Sequence, residues 1–191
     1  MILSKDMLES FSSQIERLTL DEAEGQRCFS SYQIVSTVFL SHKHEDVLQL
    51  KQARRILSSL NAHVYIDWLD KSMPKETSGE TAIKLRKKIK ESDRFILLAT
   101  DGAIQSKWCN WELGQGDALK YEQEKIALFP LRENGKNWSG SEYMEIYPVI
   151  EYEDGNSVDL AGKKISAGYY VFSPAKDNCR HYESLSSWLI K

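Results

Sequence analysis

Four short apolar runs, with segments of helical period following them, constrain the fold of this chain more than any other feature. "STVFLSH" (Ser36 to His42), "HVYIDW" (His63 to Trp68), "RFILLAT" (Arg94 to Thr100) and "KIALFPL" (Lys125 to Leu131) are rich in strand formers. After the first, "DVLQLKQARRILSSLN" places Val47, Leu50, Ile56, Leu57 and Leu60 at roughly helical spacing. A polar loop, "LDKSMPKETSG", follows the second, and the capping-box spacing of Thr77 and Glu80 predicts the start of a helix over "ETAIKLRKKIKES". "RFILLAT" is continuous in apolar residues, as a central strand should be. Ser106 is the expected N-cap of a helix through "KWCNWELGQGDALKYEQE". A loop-rich stretch with Trp138, Tyr143 and Tyr147 comes after the fourth run; "GYYVFSP" (Gly168 to Pro174) then reads as a fifth strand and "RHYESLSSWLIK" as a closing helix.

This alternation predicts an α/β fold with a parallel five-stranded sheet, flavodoxin-like in its strand order 2-1-3-4-5, and helices on both faces. In such a sheet the ligand crevice lies outside the carboxyl ends of strands one and three, where the order reverses. "SHKHED" and "DGAIQSKWCNWE" should meet there.

Composition narrows the function classes. The 191 residues fit one globular domain. A net charge of −3 gives no general attraction to nucleic acid or to an anionic membrane, and no apolar run is long enough to span a bilayer. Cys28, Cys109 and Cys179 are far apart and include no C-x-x-C pair, so a reducing cytoplasm is expected, with neither a disulfide framework nor a zinc ribbon. "MILSKDMLESFSSQIERL" reads as an amphipathic helix without the apolar centre of a signal peptide. Residues 1–32 are therefore expected to form an N-terminal helical extension and 33–191 the domain.

Glu112 is the residue that local pattern explains least. At about 100° per residue it falls between Trp108 and Cys109, away from the polar face marked by Asn110, Asp117, Tyr121 and Glu124. Burial of an unpaired carboxylate raises its pKa and costs stability. Either Glu112 pairs with a nearby Arg or Lys, or it lies in water at the edge of the stripe, or it is used. Gly114 and Gly116 each cost roughly 1 kcal/mol against Ala in a helix, which either close approach of another backbone or a ligand, or helix packing alone, would explain.

"VFLSHKHED", "VYIDW" with the loop to "SGETAIKLRKKIKESD", "FILLATDGAIQSKWCNWELG", "YPVIEYED" and "ESLSSWL" together resemble, in order and spacing, a bacterial Toll/interleukin-1 receptor (TIR) domain from about Val35 to Leu189. The resemblance implies that Glu112 is the catalytic glutamate of an NAD+ nucleosidase, a glycohydrolase or ADP-ribosyl cyclase that cleaves the nicotinamide–ribose bond. NAD is then a substrate and no cofactor is expected. By position Ser41, His42 and Lys43 would lie in the loop that closes over the substrate; the alternative is a strand end with a turn, which for His42 or Lys43 taken alone is the preferred reading. Asp67 either faces the crevice or caps the following loop, and Trp108 could offer a flat face to a ring. The family likeness further implies TIR–TIR self-assembly through the loop after strand two. Resemblance to the stand-alone TIR component of Thoeris-type phage defence implies a diffusible ADP-ribose-derived product that reaches a separate effector protein.

Three rivals use the same segments. "HKHED" contains a His-x-His-x-Asp pattern, but His63 and His181 have no ligand spacing around them, so no metal site is expected. A receiver-like phospho-acceptor domain would need its acidic pair earlier than Glu45-Asp46. A non-enzymatic TIR adaptor would act through self-assembly alone. No P-loop and no G-x-G-x-x-G occurs.

Overall fold

A computed structural model describes residues 1–25, 34–70, 72, 74, 78–159, 162–174 and 181–191. Among the described residues, five strands form the main parallel set: β2 (Ser36–Ser41), β3 (Ala62–Tyr65), β4 (Arg94–Ala99), β5 (Ile126–Arg132) and β6 (Val149–Glu153). Their order, β3-β2-β4-β5-β6, is the expected 2-1-3-4-5. The identity of the fifth strand differs from the expectation. Val149–Glu153 takes that place, and β7 (Gly168–Phe172) runs antiparallel beside it, with β8 (Tyr182–Ser184) antiparallel beside β7. The predicted closing helix is likewise divided: Tyr182–Ser184 is strand, and α6 (Leu185–Ile190) begins at an N-cap, Ser184, whose hydroxyl accepts from the Ser187 amide.

Alternation along the strands separates two cores. Val38, Leu40, Ile96 and Leu98 face α2 (Val47–Ser59) and α6, whereas Phe39, Phe95 and Leu97 face α3 (Gly79–Glu91) and α5 (Lys107–Lys120). All six residues of β4 are buried, in keeping with its place between β2 and β5. The α3 cap is shifted from the expectation. Thr77 lies outside the described residues, and the capping box joins Ser78 to Thr81.

The first four residues enter the sheet. In β1 (Leu3–Ser4), Leu3 pairs with Leu131 and Ser4 with Arg132, while Met1 exchanges backbone hydrogen bonds of 2.6 and 3.0 Å with Tyr152 of β6. The segment thus bridges β5 to β6 beyond the Leu128–Val149 register point. The expected N-terminal helix, α1 (Lys5–Gly25), packs on α2 and buries Leu8 in the first core.

Candidate active site

The carboxyl ends of β2 and β4 are fixed by side chains. Thr100 follows β4, caps α4 (Asp101–Gln105) by accepting from the Ala103 amide, and donates its hydroxyl to Asp46 Oδ2 at 2.5 Å. Asp46 stands at the head of α2, so one threonine ties three elements together. Trp138 donates Nε1–H to the Ala99 carbonyl at 2.7 Å; the register partner of Ala99 is Pro130, which has no N–H. Ser106 caps α5 as expected, accepting from the Cys109 amide.

A cleft of about 230 Å³ opens at these strand ends. Ser41, His42, Lys43, Asp67, Trp108 and Glu112, the six residues singled out by sequence, all line it. Glu112 lies at its floor, and the residue is 6 % exposed. Its hydrogen-bond donor is Ser41 Oγ at 2.5 Å, and no Arg or Lys ion-pairs with it among the described residues. Neither bland expectation for Glu112, a cationic partner or a place in water, describes this geometry. Burial pushes its pKa up to about 8; the Ser41 hydrogen bond opposes that rise and the nearby Asp67 charge adds to it.

Asp67 resolves in favour of the cleft. Strand β3 ends at Tyr65, and Asp67 opens a 3-10 turn, Asp67–Leu69. Its Oδ1 is buried and accepts no hydrogen bond from the described residues. His42 Nε2 lies 3.7 Å from Oδ1 and His44 Nε2 3.9 Å from Oδ2. His42 Nδ1 is 3.0 Å from the Leu40 carbonyl, which assigns the proton to Nδ1. Burial is the main cause that lowers the His42 pKa, so its imidazole is neutral near pH 7. The two imidazoles of the His-x-His-x-Asp pattern therefore gather at Asp67, while Asp46 is engaged by Thr100.

Lys43 bends toward α4: a Cβ built on Gly102 would stand 2.8 Å from its Cδ. Its Nζ is 4.0 Å from Glu45. Trp108 is 38 % exposed at the cleft mouth and meets Trp111 edge-on, with ring centroids 5.5 Å apart. Trp111 packs against the second core instead. His44, Thr81, Leu85 and Cys109 also line the cleft and were not singled out as site residues. Cys109 could have been inferred from its place beside Glu112 on the helical wheel. Burial pushes its thiol up to about 11, so it stays protonated. Thr81 and Leu85 sit one turn apart on α3, a contact that no local pattern announces.

A doubly wound parallel sheet with a carboxylate cleft at the strand-order reversal defines the class. A family profile described as TIR domain matches residues 38–164, and the chain belongs to the TIR domain family. It is also similar to a protein of Cytobacillus dafuensis named "Putative cyclic ADP-D-ribose synthase TIR2". The two are 30% identical over 82 residues, which cover 41% of this chain and 22% of the relative; the match spans less than a quarter of that relative's length. Among the described residues no helix is long and apolar enough to cross a membrane.

Proposed function

We propose that this chain is an NAD-consuming TIR enzyme that cleaves the nicotinamide–ribose bond, with Glu112 as its catalytic carboxylate. The observation that carries the reading is Glu112 buried in the floor of the cleft, held by a hydroxyl and unmatched by a cation among the described residues. Family membership and the name of the Cytobacillus relative support NAD as the substrate.

The chemistry asks little of a general acid. As the C–N bond breaks, its electron pair moves to the pyridinium nitrogen, and nicotinamide leaves as a neutral molecule. The ribose becomes oxocarbenium-like. The ionised carboxylate of Glu112 opposes that positive charge, and Ser41 holds its rotamer. Asp67 Oδ1 accepts a ribose hydroxyl, and the open face of Trp108 receives the ring. His42 borders the ribose, and Lys43 meets the anionic diphosphate.

Water captures the cation to give ADP-ribose, or a nucleophile within the substrate gives a cyclic isomer. The relative's name supports the cyclic product. In the same reading the product is a diffusible signal made in the cytoplasm for a separate effector protein in anti-phage immunity. Self-association of TIR domains assembles the active form, and the rate per molecule rises with protein concentration. The test is mass analysis of NAD incubated with concentrated protein. Nicotinamide with ADP-ribose, a cyclic isomer or a conjugate is expected; unchanged NAD overturns the reading. For the signal, protein-free filtrate from phage-infected cells expressing the chain should switch on a candidate effector in vitro, and filtrate that never does so leaves only NAD depletion.

A further inference from the structure

The following rests on the NAD reading of the cleft and concerns what occupancy does to Glu112. The hydrogen bond that Glu112 accepts comes from an uncharged donor, Ser41 Oγ. The titratable groups around it come from several elements. Cys109 on its own helix is a neutral thiol, and Tyr65 on β3 feels the Glu112 charge as unfavourable. His42 at the end of β2 is kept uncharged by burial. Asp67 in the turn after β3 adds negative charge. At the rim, His44 approaches Asp67, and Lys43 approaches Glu45 at 4.0 Å. None of these groups ion-pairs with Glu112 among the described residues. A carboxyl so enclosed has two favourable conditions: protonated by itself, or ionised against a cation that a ligand brings. The aromatic face of Trp108 borders the same cleft and attracts a cationic ring.

We infer that entry of a cationic pyridinium ring expels the proton of Glu112 to solvent, so the cleft selects pyridinium cations over neutral rings of the same shape and couples their binding to proton release. One O–H bond breaks, the proton passes to water or buffer, and the ring's positive charge faces the new carboxylate. Affinity for the cation then climbs by up to about tenfold per pH unit below the titration of the free carboxyl and levels off above it. Affinity for a neutral ring gains nothing from that ionisation.

Calorimetry with two probes tests this. 1-Methylnicotinamide is a cation without a cleavable ribose; nicotinamide is its neutral counterpart. Titrations at pH 7 in two buffers of unlike protonation enthalpy should show nearly one proton released per 1-methylnicotinamide bound and none for nicotinamide. Cation affinity should rise at least about tenfold from pH 6 to pH 8. Glu112→Gln, checked for fold by circular dichroism, should bind without proton release. Equal affinity for the two probes, cation binding without proton release in the wild type, or failure of the cation to bind overturns the inference. Proton release by a chain that leaves NAD uncut supports the inference and removes the NAD reading; NAD cleavage without proton release removes the inference alone.

Discussion

Glu112 is governed by burial first, then by the opposing Ser41 hydrogen bond and the reinforcing Asp67 charge. If the ionised form is the working form, kcat/KM rises with pH and levels near pH 8, because that ratio reports the free enzyme. Ser41→Ala removes the bond that favours ionisation; the rising limb should move to higher pH, and kcat should drop by about 10–100-fold. A pH–rate profile of both proteins checks this. Stability follows the same titration with its own sign. The folded carboxyl binds its proton more tightly than the unfolded one, so its stabilising contribution is present below pH 4.5 and lost as pH rises to about 8. The melting temperature of Glu112→Gln relative to wild type should therefore rise between pH 5 and pH 8, by about 5–10 °C. Six lining residues were legible because strand-end position and helical spacing are local signals that the family resemblance turned into site candidates. The Ser41 hydrogen bond was not, since it joins residues 71 positions apart.

At the scale of elements, α5 carries Glu112 only as precisely as it seats on the sheet. Gly116 allows that seat: an added Cβ would come within 2.8 Å of the Phe95 ring, whereas a Cβ at Gly114 meets nothing within 4 Å. Gly116→Ala should destabilise by about 1–3 kcal/mol. Gly114→Ala should stabilise by up to about 1 kcal/mol. Urea unfolding of the two variants separates the cases, and equal signs would contradict the packing described. In the parallel set, β2, β4 and β5 were readable because their buried runs are continuous or nearly so, and β3 because buried Ala62 and Val64 alternate with exposed His63 and half-buried Tyr65. Val149–Glu153 was not: it buries Ile150 fully and leaves its other residues partly exposed, so no apolar run marks it. Tyr182–Ser184 is a strand of three residues, too short for any period to show against the helix that follows.

For the molecule as a whole, the N-terminal segment is expected to unfold together with the sheet, because Leu3 is 1 % exposed and Lys5 ion-pairs with Glu133 at 2.6 Å. Leu3→Ala should cost about 2–4 kcal/mol while leaving a single thermal transition; a separate early transition would mean that β1 and α1 are a detachable extension. The helix there was legible from its amphipathic period, but its pairing with β5 and β6 depends on residues far along the chain. The claim that joins fold to chemistry is that the carboxylate on the cleft floor breaks the nicotinamide–ribose bond. Turnover of NAD by wild type and by Glu112→Gln, with circular dichroism on each, tests it most directly. The variant should keep its fold and lose cleavage by at least about a thousandfold, as expected when a transition-state charge partner is removed. Wild-type turnover in a folded Glu112→Gln protein would contradict it.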